Sequence, residues 1–173
     1  RHIFITHLHP DHAYFIRQGE KIDRKMYTPD NFHRKGSFGK YTVKPIPTHH
    51  SKKVKSQAYL IKRGKNTVLY TGDLVWIDKK YHDLLRGLSL VITEGSFIIH
   101  KGVVQRDPRT HRIYGHNGIP QLVDLFKRFT STIVLVHFGK WFYHDIPRAR
   151  KRLQRLSDDV TIIPAYDGFT ITI

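Results

Sequence analysis

The chain has 173 residues, the size of one domain with room for a hydrophobic core, and 39% of them are apolar. It contains no cysteine, which excludes disulfides and thiolate metal sites, and no run of about 18 apolar residues that would cross a membrane as a helix. Lys and Arg number 30 against 14 Asp and Glu, and the formal net charge of +16 attracts polyanions and anionic substrates. The opening residues RHIFITHLH lack the apolar stretch of a signal peptide, so a cytoplasmic protein is expected.

The predicted elements alternate short β runs with helices. Residues 2–6 read as a strand that runs into a histidine-rich loop, and residues 11–17 open a helix with Asp11 near its start. Lys25 to Tyr27 is a short strand, followed by a helical turn at Thr28-Pro29-Asp30. Residues 41–46 alternate like a half-buried strand and stop at Pro47. Residues 57–62 and 67–70 flank RGKN, a hairpin signal, and the second of them runs into TGD. Residues 88–93 form an apolar strand ending in EGSF. Leu122, Val123, Leu125, Phe126 and Phe129 fall at helical spacing within residues 119–129, with Pro120 suited to the first turn. Residues 133–136 form a strand ending at His137, residues 146–156 a basic amphipathic helix, and residues 160–163 and 169–173 closing strands. The alternation indicates an α/β fold with a mixed sheet.

Polar groups recur at the strand exits. His7, His50, Asp73, Glu94 and His137 each lie at or just beyond the carboxyl end of a predicted strand, where layered α/β sheets assemble their sites. The densest cluster is THLHPDH, residues 6–12. Alternate side chains of an extended loop point the same way, so His7 and His9 can reach one metal ion. Asp11 and His12 follow on the next turn and can hold a second, and nitrogen and oxygen donors suit zinc, manganese or iron.

THLHPDH resembles the signature of the metallo-β-lactamase superfamily. PIPTHHS, LYTGD, VLVHFG and AYDGFTITI resemble its later segments in the expected order, across nearly the whole chain. The resemblance implies an αββα sandwich, with residues 1–173 as a single metallo-hydrolase domain. It implies one divalent metal held by His7, His9 and His50, a second held by Asp11, His12 and His137, and Asp73 bridging them. His49 is the alternative to His50, which is preferred because the histidine directly before Ser51 matches the family pattern. The family precedes this motif with strands that have no counterpart here, so the chain is expected to be the C-terminal portion of a longer fold, with exposed sheet edges through which a homodimer could form.

ITEGSF and YGHNG are similar to segments of the tRNase Z-like and phosphodiesterase branch. That likeness implies that Glu94 orients His116, which protonates a leaving group. Asp11 would orient the attacking water. Two features depart from tRNase Z. Only residues 51–72 separate His50 from Asp73, leaving no room for its long arm, and Phe138-Gly139-Lys140-Trp141 follows His137 in place of a serine-arginine run. Maturation of tRNA 3′ ends is therefore not the expectation. A phosphodiesterase or nuclease acting on nucleic acid or another anionic phosphodiester is. Lys52, Lys53, Lys55 and Lys140 would hold the polyanion near the site, and Arg148, Arg150, Lys151, Arg152 and Arg155 form either a backbone track or a solvated helix face. Trp141, Phe142 and Tyr143 either stack a base or pack in the core. A lactonase or thioesterase with the same metals, and a non-catalytic nucleic-acid-binding module, are the alternatives.

Overall fold

The structure is a computed structural model and describes residues 1–19 and 21–173. Its centre is a seven-stranded mixed sheet. Strands β3 (Gly36–Phe38), β4 (Tyr41–Pro47), β5 (Gln57–Arg63) and β6 (Asn66–Tyr70) form an antiparallel meander; β7 (Leu90–Gly95), β10 (Thr132–Phe138) and β11 (Thr161–Pro164) then add in parallel to β6, giving the order β11-β10-β7-β6-β5-β4-β3. Two short two-stranded sheets flank it. One is the parallel pair β1 (His2–Phe4) and β2 (Lys25–Tyr27), the other the hairpin β8 (Val103–Arg106) and β9 (Ile113–His116).

Strand direction positions the site. Two successive antiparallel pairings make β4 parallel to β6, so β4, β6, β7 and β10 all end at the same edge of the sheet. The β5–β6 connection is the two-residue loop Gly64-Lys65, which locks the β5–β6 register from Tyr59↔Tyr70 to Arg63↔Asn66. Parallel neighbours need crossovers, supplied by a 3₁₀ segment (Lys79–Leu85), by α2 (Ile119–Phe126), and by α3 (Lys140–His144) with α4 (Ile146–Gln154).

The two faces of the sheet bury different layers because strand side chains alternate. Ile46, Ala58, Leu69, Val91, Ile133 and Leu135 pack under Leu122, Val123 and Phe126 of α2 and Ala149 and Leu153 of α4. On the other face Val43 and Tyr59 pack with Phe32, Phe4 and Tyr27. The Tyr59 hydroxyl donates to the Ile5 carbonyl at 2.7 Å and accepts from Gln57 Nε2 at 2.9 Å, which ties the β1–β2 layer to β5.

Several expectations shift. The first helix begins only at Tyr14 (α1, Tyr14–Arg17), because residues 9–13 are taken up by a turn in which His12 and Ala13 donate to the His9 carbonyl. The helix expected over residues 119–129 ends at Phe126, where the chain turns through Lys127 to Thr130 into β10. The strand expected over residues 169–173 does not form. That tail has the alternating pattern of a strand but no neighbour supplies a ladder; it lies exposed, with the Ile173 carbonyl accepting from Asn66 Nδ2. The elements β3, β8, β9, α3 and the 3₁₀ segment have no counterpart among the sequence expectations.

Candidate metal centre

The loop after β1 brings His7, His9 and His12 to the carboxyl edge of the sheet, where the chain after β6 contributes Asp73. Gly72, between Thr71 and Asp73, makes this approach possible. Its φ of +61° suits glycine, and a Cβ there would lie 2.5 Å from Thr6 Oγ1. The Gly72 backbone therefore packs against the Thr6 side chain, and Asp73, 4% exposed, sits under the histidines.

Asp73 is the hub. Its Oδ2 lies 3.3 Å from His12 Nε2 and 3.7 Å from both His7 Nε2 and His50 Nε2, and its Oδ1 lies 3.0 Å from His137 Nδ1. His50 Nε2 is in turn 3.2 Å from His9 Nδ1. The donor atoms of His7, His9 and His50 form one compact group and those of Asp11, His12 and His137 another. Asp11 is at the rim, 68% exposed, with Oδ2 3.6 Å from His12 Nε2.

Each ring is oriented by a neighbour. The Gly115 carbonyl accepts from His50 Nδ1 at 2.8 Å, which turns Nε2 towards Asp73. Ser51 Oγ is 3.2 Å from His9 Nε2, and Thr6 Oγ1 is 3.1 Å from His7 Nδ1. His137 projects from a bulge in β10 with φ +55°, a conformation that side chains rarely adopt and that concentrates at functional sites. His49 points away from the cluster, with Nε2 2.8 Å from Asp78 Oδ1. Adjacent residues leaving β4 face opposite ways, so His50 and not His49 joins the group.

Glu94 and His116 form a pair beside these residues. Glu94 is 1% exposed; its Oε1 accepts the Leu74 N–H and its Oε2 lies 2.7 Å from His116 Nδ1. His116 Nδ1 is also 3.9 Å from Asp73 Oδ2.

The electrostatics divide the rings into two groups. Burial and the neighbouring histidines push His7 down to about 3, and burial likewise lowers His9 and His50, so these rings are neutral, the form that binds metal. Burial alone would raise Asp73, but His12 and His137 beside it hold it well below the usual carboxylate range. The Asp73 carboxylate raises His137. His116 is also raised, because Glu94 outweighs the burial of the ring.

Three buried atoms at this centre, His7 Nε2, His12 Nε2 and Asp73 Oδ1, make no well-aligned hydrogen bond among the described residues, although Asp73 Oδ1 lies 3.0 Å from His137 Nδ1. Each costs about 1–3 kcal/mol if left unsatisfied. Two such imidazole nitrogens beside a carboxylate whose own oxygen is the third fit a metal ion, which would satisfy them together. The sequence reading missed the orienting groups Gly115, Ser51, Thr6 and Ser96, the last with its Oγ 3.3 Å from His137 Nδ1. Ser51 and Gly115 adjoin predicted site residues in HHS and YGHNG, which is the only local signal for them.

No protein-family model and no curated protein matches the sequence. Solved structures do resemble the fold. YhfI from Bacillus subtilis, a metallo-beta-lactamase fold protein, aligns at TM-score 0.70 and 18% identity over 97% of this chain and 76% of its own. A diphosphatase of the PhnP family aligns at 0.65 and 14% over 99% of this chain and 58% of its own. The short form of human tRNase Z aligns at 0.63 and 14% over 99% of this chain and 78% of its own. At these identities the likeness is one of fold: an α/β arrangement of the metallo-β-lactamase type.

Proposed function

We propose that this chain of metallo-β-lactamase fold is a single-domain, dinuclear metal-dependent hydrolase that cleaves phosphodiesters, with nucleic acid the foremost substrate class. His7, His9 and His50 would hold one divalent ion, Asp11, His12 and His137 the other, and Asp73 would lie between them. Zinc suits this nitrogen-rich set best, with manganese or iron as alternatives. The observation that carries the reading is the set of three buried atoms at and beside Asp73 that make no well-aligned hydrogen bond among the described residues. Bound metal would supply Lewis acidity, activating water and offsetting charge at phosphorus.

The chain's own residues supply the rest. Asp11, at the open rim, is placed to orient the attacking water. Glu94 holds Nδ1–H of His116, which leaves Nε2 to deliver a proton to the departing oxygen. This pair suits phosphodiesters, whose alkoxide leaving groups need a proton donor. The net charge of +16 favours an anionic substrate.

The test is metal quantification with hydrolysis of bis-p-nitrophenyl phosphate and of oligonucleotides by the full-length protein. Wild type should carry metal and turn over, and Asp73→Ala should lose both. Retention of metal and full rate by Asp73→Ala would overturn the site. Hydrolysis of lactones or thioesters with none of phosphodiesters would move the assignment to that class. Salt-sensitive nucleic-acid binding without metal or turnover would make the chain a binding module.

A further inference from the structure

The segment after β4 runs beside β9, and two pairs of residues face each other along it. The His50 ring lies 4.9 Å from the His116 ring, with the His50 and Gly115 backbones joined by a 2.6 Å hydrogen bond. One step out, Lys52 Nζ sits 4.9 Å over the Tyr114 ring. Farther out, Lys55 and Arg112 line one cavity of about 280 Å³, together with Ser51 and His33. Alternate residues 112, 114 and 116 advance by about 7 Å each. The result is a strip of basic side chains that begins at the proposed proton donor and leads away from the centre.

Two acids lie nearby and offset part of this charge: Asp107, whose carboxylate interacts with Lys52, and Asp30. Asp107, the acid of the β8–β9 hairpin, uses its Oδ1 to accept the backbone N–H groups of Arg109 and Thr110, which closes the turn. Asp30 pairs with Lys55 at 3.1 Å on the exposed side, leaving Lys52 and Arg112. All four residues of β8 are exposed, so the hairpin stands clear of the core.

We infer that the strip Lys52, Lys55, Arg112 and Tyr114 is a nucleic-acid track that holds the strand on the leaving-group side of the cleaved bond. The inference rests on the phosphodiesterase reading for its polarity, because the track starts at His116, but its binding does not depend on turnover. Lys52 and Arg112 meet successive phosphates, and Tyr114 offers a ring against which a base or sugar packs. The preferred substrate therefore extends at least two nucleotides beyond the scissile phosphate on that side.

The experiment compares wild type, the triple variant Lys52→Ala/Lys55→Ala/Arg112→Ala, and a charge-matched control on α4, Arg148→Ala/Lys151→Ala/Arg155→Ala. Binding of a fluorescein-labelled single-stranded oligonucleotide is measured by anisotropy across a salt series, and bis-p-nitrophenyl phosphate hydrolysis is measured in parallel. The track variant should bind at least tenfold more weakly, with the salt slope reduced by about 2. The control should bind within twofold of wild type. Equal losses in the two variants, or no loss in the track variant, would overturn the track. If wild type fails to hydrolyse any phosphodiester, the catalytic reading fails, while the binding comparison still decides whether the track exists.

Discussion

Glu94 has both carboxylate oxygens engaged in a buried position, one on the backbone N–H of Leu74 and one on His116. A carboxylate so held fixes a tautomer and a charge rather than stabilising the core. Glu94→Gln should leave metal content unchanged and lower kcat by about 10²–10³ on oligonucleotides. The loss on bis-p-nitrophenyl phosphate should be small, because p-nitrophenolate leaves without a proton; equal losses on both substrates would remove His116 from proton delivery. Tyr59 has a structural role at the same scale. Burial raises its hydroxyl to about 12, against about 10 in an unfolded chain. Its contribution to stability is full below pH 10 and is lost as the pH rises to 12, since the unfolded state releases its proton first. Tyr59→Phe should cost about 1–3 kcal/mol at neutral pH by unpairing the Ile5 carbonyl. The gap between variant and wild type in urea unfolding should narrow between pH 10 and 12.

The β8–β9 hairpin contributes little to the hydrophobic core yet controls the site. Its Gly115 backbone is hydrogen-bonded to both the backbone and the ring of His50, and Asn117 just beyond it binds the Leu74 and Val75 carbonyls. Gly115 has φ +107°, and a Cβ there would lie 1.9 Å from the Val103 carbonyl oxygen. Gly115→Ala should therefore shift the hairpin, release His50 and weaken metal binding by about 10–100-fold, with a small change in the melting temperature of the metal-free protein. A chelator competition series with a thermal melt separates the two effects; unchanged metal affinity would show that the latch does not position His50. This element was hidden in the sequence because β8 is four exposed residues with no buried face, so no period-2 hydrophobic pattern marks it. By contrast β5, β6 and β10 carry apolar alternation or runs long enough to be read directly.

Across the whole molecule, the candidate site joins segments from residue 7 to residue 137 at one sheet edge, so metal binding should couple to global stability. Chelation should lower the melting temperature, and added zinc should restore it, the gain being about 2.7 kcal/mol at a hundredfold excess over Kd. Asp73→Ala should melt at the same temperature with and without chelator; a chelator shift as large as that of wild type would place the metal elsewhere. The sequence by itself determined the elements whose signal is local: the histidine loop, where donors lie within a few residues of each other, and the strand exits, where an apolar run ends at Asp73, Glu94 or His137. Only the tertiary structure decided between His49 and His50, since both lie in one extended run and the choice depends on which side of it faces Asp73. It also decided that residues 169–173 form no strand, because pairing needs a neighbouring edge that alternation alone cannot provide. The basic strip belongs to the same category: Lys52 and Tyr114 are far apart in the chain, and only the packing of the β8–β9 hairpin against the His50 segment brings their charge and ring together.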